Sequence, residues 1–139
     1  MSSIEHEIVS RLYRTYNARD LQGWLDAFAP DSVWRNVPTG ESHEGRQGQE
    51  RNYHAWSTPF PNGTVEDLVV RAGDGFAVAE FTGAGVHEGP LQTPDGEVAA
   101  TGRASSIPFC DVHLIEGGLI VETRRYWDLA GAAAQLGLA

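Results

Sequence analysis

Two strand-like segments late in the chain carry residues that could do proton or oxyanion chemistry. Alternation along PFCDVHL puts Phe109, Asp111 and His113 on one side, opposite Cys110, Val112 and Leu114. Along ETRRYW it groups Thr123, Arg125 and Trp127, opposite Glu122, Arg124 and Tyr126. A hairpin turning at Gly117-Gly118 brings Asp111 opposite Arg125 to within a residue of register. Trp34 and Asn36, which share a face of an earlier alternating segment, are expected beside them. Such a group is either a structural ion pair or an acid/base or oxyanion site. An aspartate held by an arginine is a weak proton acceptor at neutral pH. A neutral base would then fall to His87 or His113, since free imidazole titrates near about 6.5. His87 lies in GAGVHEGP, a glycine-rich strand end where a ligand or another strand can approach closely. His113 shares the Asp111 face but is expected near the end of the sheet.

Other chemistries find less support. Asp111-x-His113 with His87 could chelate a metal, but no tighter His/Asp/Glu cluster backs it, so no metal is expected. GAGVHEG has the wrong glycine spacing for a dinucleotide site, and no serine elbow, phosphate loop or Cys/His pair appears. His6 is expected on an exposed helix side, and His43 and Glu44 in a loop. His54 and Trp56 are expected to serve as core or lining. Cys110 is the only cysteine, which excludes an intramolecular disulfide, fits a reducing compartment and reads as a small core residue. The formal net charge is -9 and no Lys/Arg cluster exceeds two neighbours, which argues against nucleic acid or an anionic membrane as partner. MSSIEHEIVS has no apolar signal core and no run approaches the ~20 apolar residues of a membrane span, so a cytoplasmic protein is expected.

The elements that must position these residues follow from periodicity. Ile4, Ile8, Val9, Leu12 and Tyr16 recur at helical spacing over Ile4 to Asn17, with Tyr13 off that stripe. After the break at Asn17-Ala-Arg-Asp20, Leu21 to Phe28 reads as a second helix burying Trp24, Leu25 and Phe28, stopped by Pro30-Asp31. Ser32 to Val37 alternates as a strand, Pro38 to Gly48 reads as loop, and Arg46 to Trp56 as a third helix. Strands follow over Val65 to Arg71, Phe76 to His87, Ala99 to Leu114 and Leu119 to Trp127, joined by short turns, one of them Thr93-Pro-Asp-Gly96. One domain of 139 residues results, of α+β class, with helices on one face of a curved antiparallel four-strand meander that encloses a cavity. The apolar face of Cys110, Val112 and Leu114 needs cover of its own, and a homodimer contact is expected there.

Three stretches carry a family resemblance: YNARDLQGWLDAFAPDSVWRN, FTGAGVHEGPL and PFCDVHLIEGGLIVETRRYWDLAGAAAQLG. Together they resemble the SnoaL-like polyketide cyclases of the NTF2-like superfamily over nearly the whole chain. The C-terminal stretch is the more specific; NARDL is shared with ketosteroid isomerases and limonene epoxide hydrolase. The resemblance implies a cone-shaped barrel, a curved sheet packed on about three N-terminal helices, a deep apolar pocket, no cofactor and often a dimer. In the cyclases an Asp on the last strand is the acid/base of an aldol ring closure, faced by a His on the strand before it. Those positions look like Arg125 and Asp111 here. Limonene epoxide hydrolase has an Asp matching Arg125 and an Asn matching Asn36, while its further Arg and Asp look like Phe81 and Gly83. The ketosteroid isomerase base would fall on Asn36 and its oxyanion-hole acid on Asp111. No one of the three sets is complete.

The leading expectation is a cofactor-independent enzyme acting on an apolar, oxygenated cyclic or polyketide-like substrate. Arg125 would stabilise an enolate or carboxylate oxygen, as a fixed cation in a dry site does. Asp111 would orient it or exchange a proton, Asn36 would bond substrate or water, and Tyr16 and His87 would be further donors. Trp34, Phe60, Phe81, Phe109, His113 and Trp127 would contact the substrate. A non-catalytic binding protein for a small acidic or aromatic ligand fits the same residues, and ring-opening epoxide hydrolysis is a third possibility.

Overall fold

The computed structural model describes residues 3–138. Helix α1 (Ile4–Asn17) begins where Ser3 Oγ accepts the His6 N–H at 3.1 Å, with Glu5 and Glu7 in the first turn, where the helix dipole favours acids. Val9, Leu12 and Tyr13 are its buried face. Tyr13 is therefore on the stripe: it lies one turn beyond Val9 and is turned fully inward, contrary to the sequence expectation. Just past the helix, Arg19 adopts a left-handed backbone (φ 56°) and donates from its guanidinium to the carbonyls of Tyr16, Pro61 and Gly63 at 3.0, 2.9 and 2.6 Å. That clasp ties the end of α1 to the 60–63 loop and offsets the backbone strain.

Helix α2 (Leu21–Asp26), capped by Asp20, is shorter than expected. Phe28 does not extend it but opens strand β1 (Phe28–Asn36), opposite Ile120. Pro30 lies inside β1, where pairing lapses between Phe28 and Val33, so its missing N–H costs no ladder bond. The expected loop contains a short strand β2 (Glu41–Glu44), which holds His43 and Glu44, and α3 (Gly45–Ser57) follows directly. Then come β3 (Thr64–Gly73), β4 (Phe76–Val86), the hairpin β5 (Leu91–Thr93) and β6 (Gly96–Val98), β7 (Ala104–Glu116), β8 (Leu119–Trp127) and α4 (Leu129–Gln135). The strand expected from Ala99 begins only at Ala104, residues 99–103 being irregular.

The main sheet runs β2-β1-β8-β7-β4-β3. The expected meander β3-β4-β7-β8 is present, but the sheet is mixed rather than purely antiparallel, because β1 joins β8 in parallel. Helices α1 and α3 pack on one face, α1 over β3 and β4 and α3 over β1. Between them and the sheet sit Leu12, Trp24, Phe28, Trp34 and Ile120, each side chain contributing roughly 2 kcal/mol by burial. On the opposite face Cys110 and Val112 are half-buried and Leu114 is exposed. Cys110 is thus not a core residue, because strand alternation turns it outward while Asp111 takes the inner position. No helix among the described residues is long and apolar enough to cross a membrane.

Candidate ligand site

Strand register builds the site. The β7–β8 ladder sets Asp111 opposite Arg125, Phe109 opposite Trp127 and His113 opposite Thr123, and the β1–β8 ladder sets Asn36 beside Arg125. All the odd-numbered members face the helices. Arg125 holds Asp111 bidentately, Nε to Oδ1 at 2.8 Å and Nη2 to Oδ2 at 2.9 Å, with Asp111 fully buried. Paired N–H donors on a planar fork are the strong form of this contact. The Tyr13 hydroxyl donates to Asp111 Oδ2 at 2.6 Å, so both carboxylate oxygens are taken. Behind it, His113 Nε2 lies 2.8 Å from the same phenol oxygen and Nδ1 lies 2.7 Å from Thr123 Oγ1. Since the phenol spends its one proton on Asp111, the network assigns Nε2–H as donor and Nδ1 as acceptor, a neutral imidazole.

Electrostatics agree with that reading. Burial pushes His113 down to about 4; Asp111 opposes the shift and Arg125 adds to it. Burial raises Tyr13 well above its usual range, reinforced by the Asp111 charge. Burial works against the charge on Arg125, but the Asp111 carboxylate more than offsets it and the guanidinium pKa is raised. The guanidinium also lies 4.8 Å from the ring centre of Trp34, 4.9 Å from Phe109, 5.5 Å from Trp56 and 5.7 Å from Phe81. Aromatic faces stabilise a desolvated cation without consuming its hydrogen-bond donors. Of five N–H donors on the guanidinium, two reach Asp111, which leaves three.

Arg125 stands on the wall of a cavity of about 70 Å³ between α1, α3 and the sheet. Tyr16, Phe60, Phe81, Phe109 and Arg125, all picked from sequence, line it. Among the described residues, Arg125, Tyr13, Tyr16 and Tyr53 are the ionisable groups on the wall. Asp111, His113, Trp34, Asn36, Trp127 and His87 stand off it. Asp111 and His113 lie behind Arg125 and Tyr13; His113 is near the end of β7, as expected, and is fully buried. Asn36 Oδ1 accepts the Trp127 indole N–H at 2.6 Å. His87 is fully buried under Phe60; its Nδ1 accepts the Thr101 backbone N–H at 3.2 Å, and its Nε2 has no partner among the described residues. Phe81 and Gly83, where the epoxide hydrolase set would need Arg and Asp, give the wall only apolar surface. No group of three His, Cys, Asp or Glu side chains able to hold a metal ion occurs among the described residues.

Sequence reasoning missed Tyr13, Asn52 and Tyr53, which all line the cavity, as does Trp56, expected as core or lining. Tyr13 could have been found from its four-residue spacing to Val9. Asn52 gives no such signal, being a polar residue on a helix with a weakly apolar face.

The model of the SnoaL-like domain family matches residues 9–123. No curated protein matches in sequence. Among solved structures, a candidate polyketide cyclase from Pseudomonas putida KT2440 is similar with a TM-score of 0.83 at 23% identity, covering 96% of this chain and 98% of that one. A candidate SnoaL-like polyketide cyclase from Jannaschia sp. CCS1 gives 0.85 at 20% identity, covering 100% and 97%. TsrD from Streptomyces laurentii gives 0.75 at 27% identity, covering 96% and 94%.

Proposed function

The chain belongs to the SnoaL-like domain family, and from that premise we propose that its cavity takes a small aromatic or otherwise apolar molecule, held by an oxygen function on Arg125. One observation carries this reading: among the described residues Arg125 is the charged group on a largely aromatic wall, with three N–H donors not used by Asp111. Because Asp111 neutralises the guanidinium, a carbonyl or phenol oxygen suits the site as well as a carboxylate does. The aromatic wall supplies the affinity and the guanidinium the orientation.

Catalysis of cyclase or isomerase type is the second reading, favoured by the family and its solved members named as candidate polyketide cyclases. Here the same N–H donors would stabilise an enolate oxygen as it forms. Asp111, with both oxygens occupied and no place on the wall, acts by holding the guanidinium in its plane. The proton would pass to the substrate itself or to water.

The test is calorimetric titration with 2-naphthoate and 2-acetylnaphthalene, followed by mass and NMR analysis of the recovered ligand. Arg125→Lys keeps the charge but loses the planar fork, and affinity for 2-naphthoate is expected to fall about tenfold or more. Equal affinity in the variant would overturn the anchoring role. A ligand recovered unchanged supports binding alone, and a converted one supports the enzyme.

A further inference from the structure

Asn52 is 2% exposed and on the cavity wall, yet its side-chain amide has no hydrogen-bond partner among the described residues. Of the other buried amides nearby, Gln49, one turn earlier on α3, donates to Ser32 Oγ at 3.1 Å while its Oε1 is unpaired among the described residues, and Asn36 accepts from Trp127. The hydroxyls of Tyr16 and Tyr53 share the wall with Asn52. An amide open to cavity space makes no bond that holds the fold together, and asparagine is among the poorer residues inside a helix. The position therefore contributes little to folding, the pattern of a group kept for a ligand.

We infer that Asn52 is a second recognition point, and that the ligand carries a hydroxyl remote from the oxygen held by Arg125. An asparagine amide presents a donor and an acceptor side by side. A hydroxyl, which also donates and accepts, completes both at once. The ligand class becomes hydroxylated aromatic acids and ketones, oriented oxygen-first on Arg125 with the hydroxyl turned to α3. This rests on the binding role of the cavity proposed above. Sites built to bond a hydroxyl discriminate strongly against analogues lacking it, because the protein groups are then left unpaired.

The experiment titrates 2-naphthoate and its ring-hydroxylated isomers into the wild-type protein and Asn52→Leu. At least one isomer is expected to bind wild type about tenfold or more tightly than the parent acid. In Asn52→Leu that advantage, taken as the ratio to the parent acid in the same variant, should shrink to about twofold or less. In wild type, whatever the stability of the variant, the Asn52 side-chain amide NMR signals should move with the preferred isomer and not with the parent. If no isomer gains, or the gain persists in Asn52→Leu, this inference falls while the Arg125 anchor stands. If no naphthoate binds wild type, or Arg125→Lys binds the parent equally well, the cavity reading falls and takes this one with it.

Discussion

Arg125→Met is the perturbation that most directly measures the centre of the site. It removes two charge-assisted hydrogen bonds of 2.8 and 2.9 Å and leaves a fully buried carboxylate with only the Tyr13 hydroxyl as partner. Breaking one side of a buried ion pair costs roughly 3–5 kcal/mol. The aromatic faces around the guanidinium lose their cation as well, so the upper half of that range applies. Against a total stability of about 5–15 kcal/mol for a domain, this is a large fraction. Asp111→Asn strands the guanidinium instead, and roughly 2–4 kcal/mol is expected because the amide oxygen can still accept one bond. The double variant should cost no more than the worse single one, since neither charge is then left alone. Urea denaturation at neutral pH, with the slope checked for constancy, reads all three. A single Arg125→Met change within about 1 kcal/mol of wild type, or strictly additive costs in the double variant, would refute the description of the pair.

Four further outcomes follow from the same geometry. His113 folds with its pKa lowered to about 4, so the unfolded chain takes up a proton the folded one refuses. Stability should be complete above about 6.5 and fall by about 3 kcal/mol as pH drops through 4; His113→Gln should flatten that slope, and parallel curves would refute it. Tyr13→Phe removes the hydroxyl shared by Asp111 and His113, and should cost about 1–3 kcal/mol in denaturant titrations. Arg19→Met cuts the clasp to the Pro61 and Gly63 carbonyls, and should speed hydrogen exchange in the 60–64 segment while leaving the β7–β8 ladder protected. The outer face with half-buried Cys110 and Val112 and exposed Leu114 is expected to pair with a second copy; light scattering should give a dimer that Leu114→Lys dissociates, and a wild-type monomer would count against it.

How much could be read from the chain depended on how local each signal was. The Asp111–Arg125 pairing was legible because a two-glycine turn fixes register within one hairpin, and alternation then decides which residues face inward. The parallel seat of β1 on β8 was not legible: it joins segments far apart in the chain, and no local pattern encodes which strand edge a distant strand will take. Phe28 misled because a buried aromatic fits a helix face and a strand face alike. The chemistry of Asp111 was partly legible. Sequence placed it beside Arg125, but only the third dimension shows Tyr13 closing off its second oxygen. Asn52 lay beyond reach because an amide turned inward and one turned outward look the same in sequence.

The mixed sheet has a kinetic consequence. β8 is flanked by β7, its hairpin neighbour, and by β1, whose Asn36 meets Trp127 across 91 positions of chain. Closing so wide a loop is entropically slow, so the hairpin should form well before β1 docks. Until then Asp111 and Arg125 already pair, but the Trp34 ring against the guanidinium is missing. During synthesis the β1 edge must wait, unpaired on one side, for a strand made much later. Ribosome-bound chains that stop before Leu119 should therefore be the ones that chaperones hold.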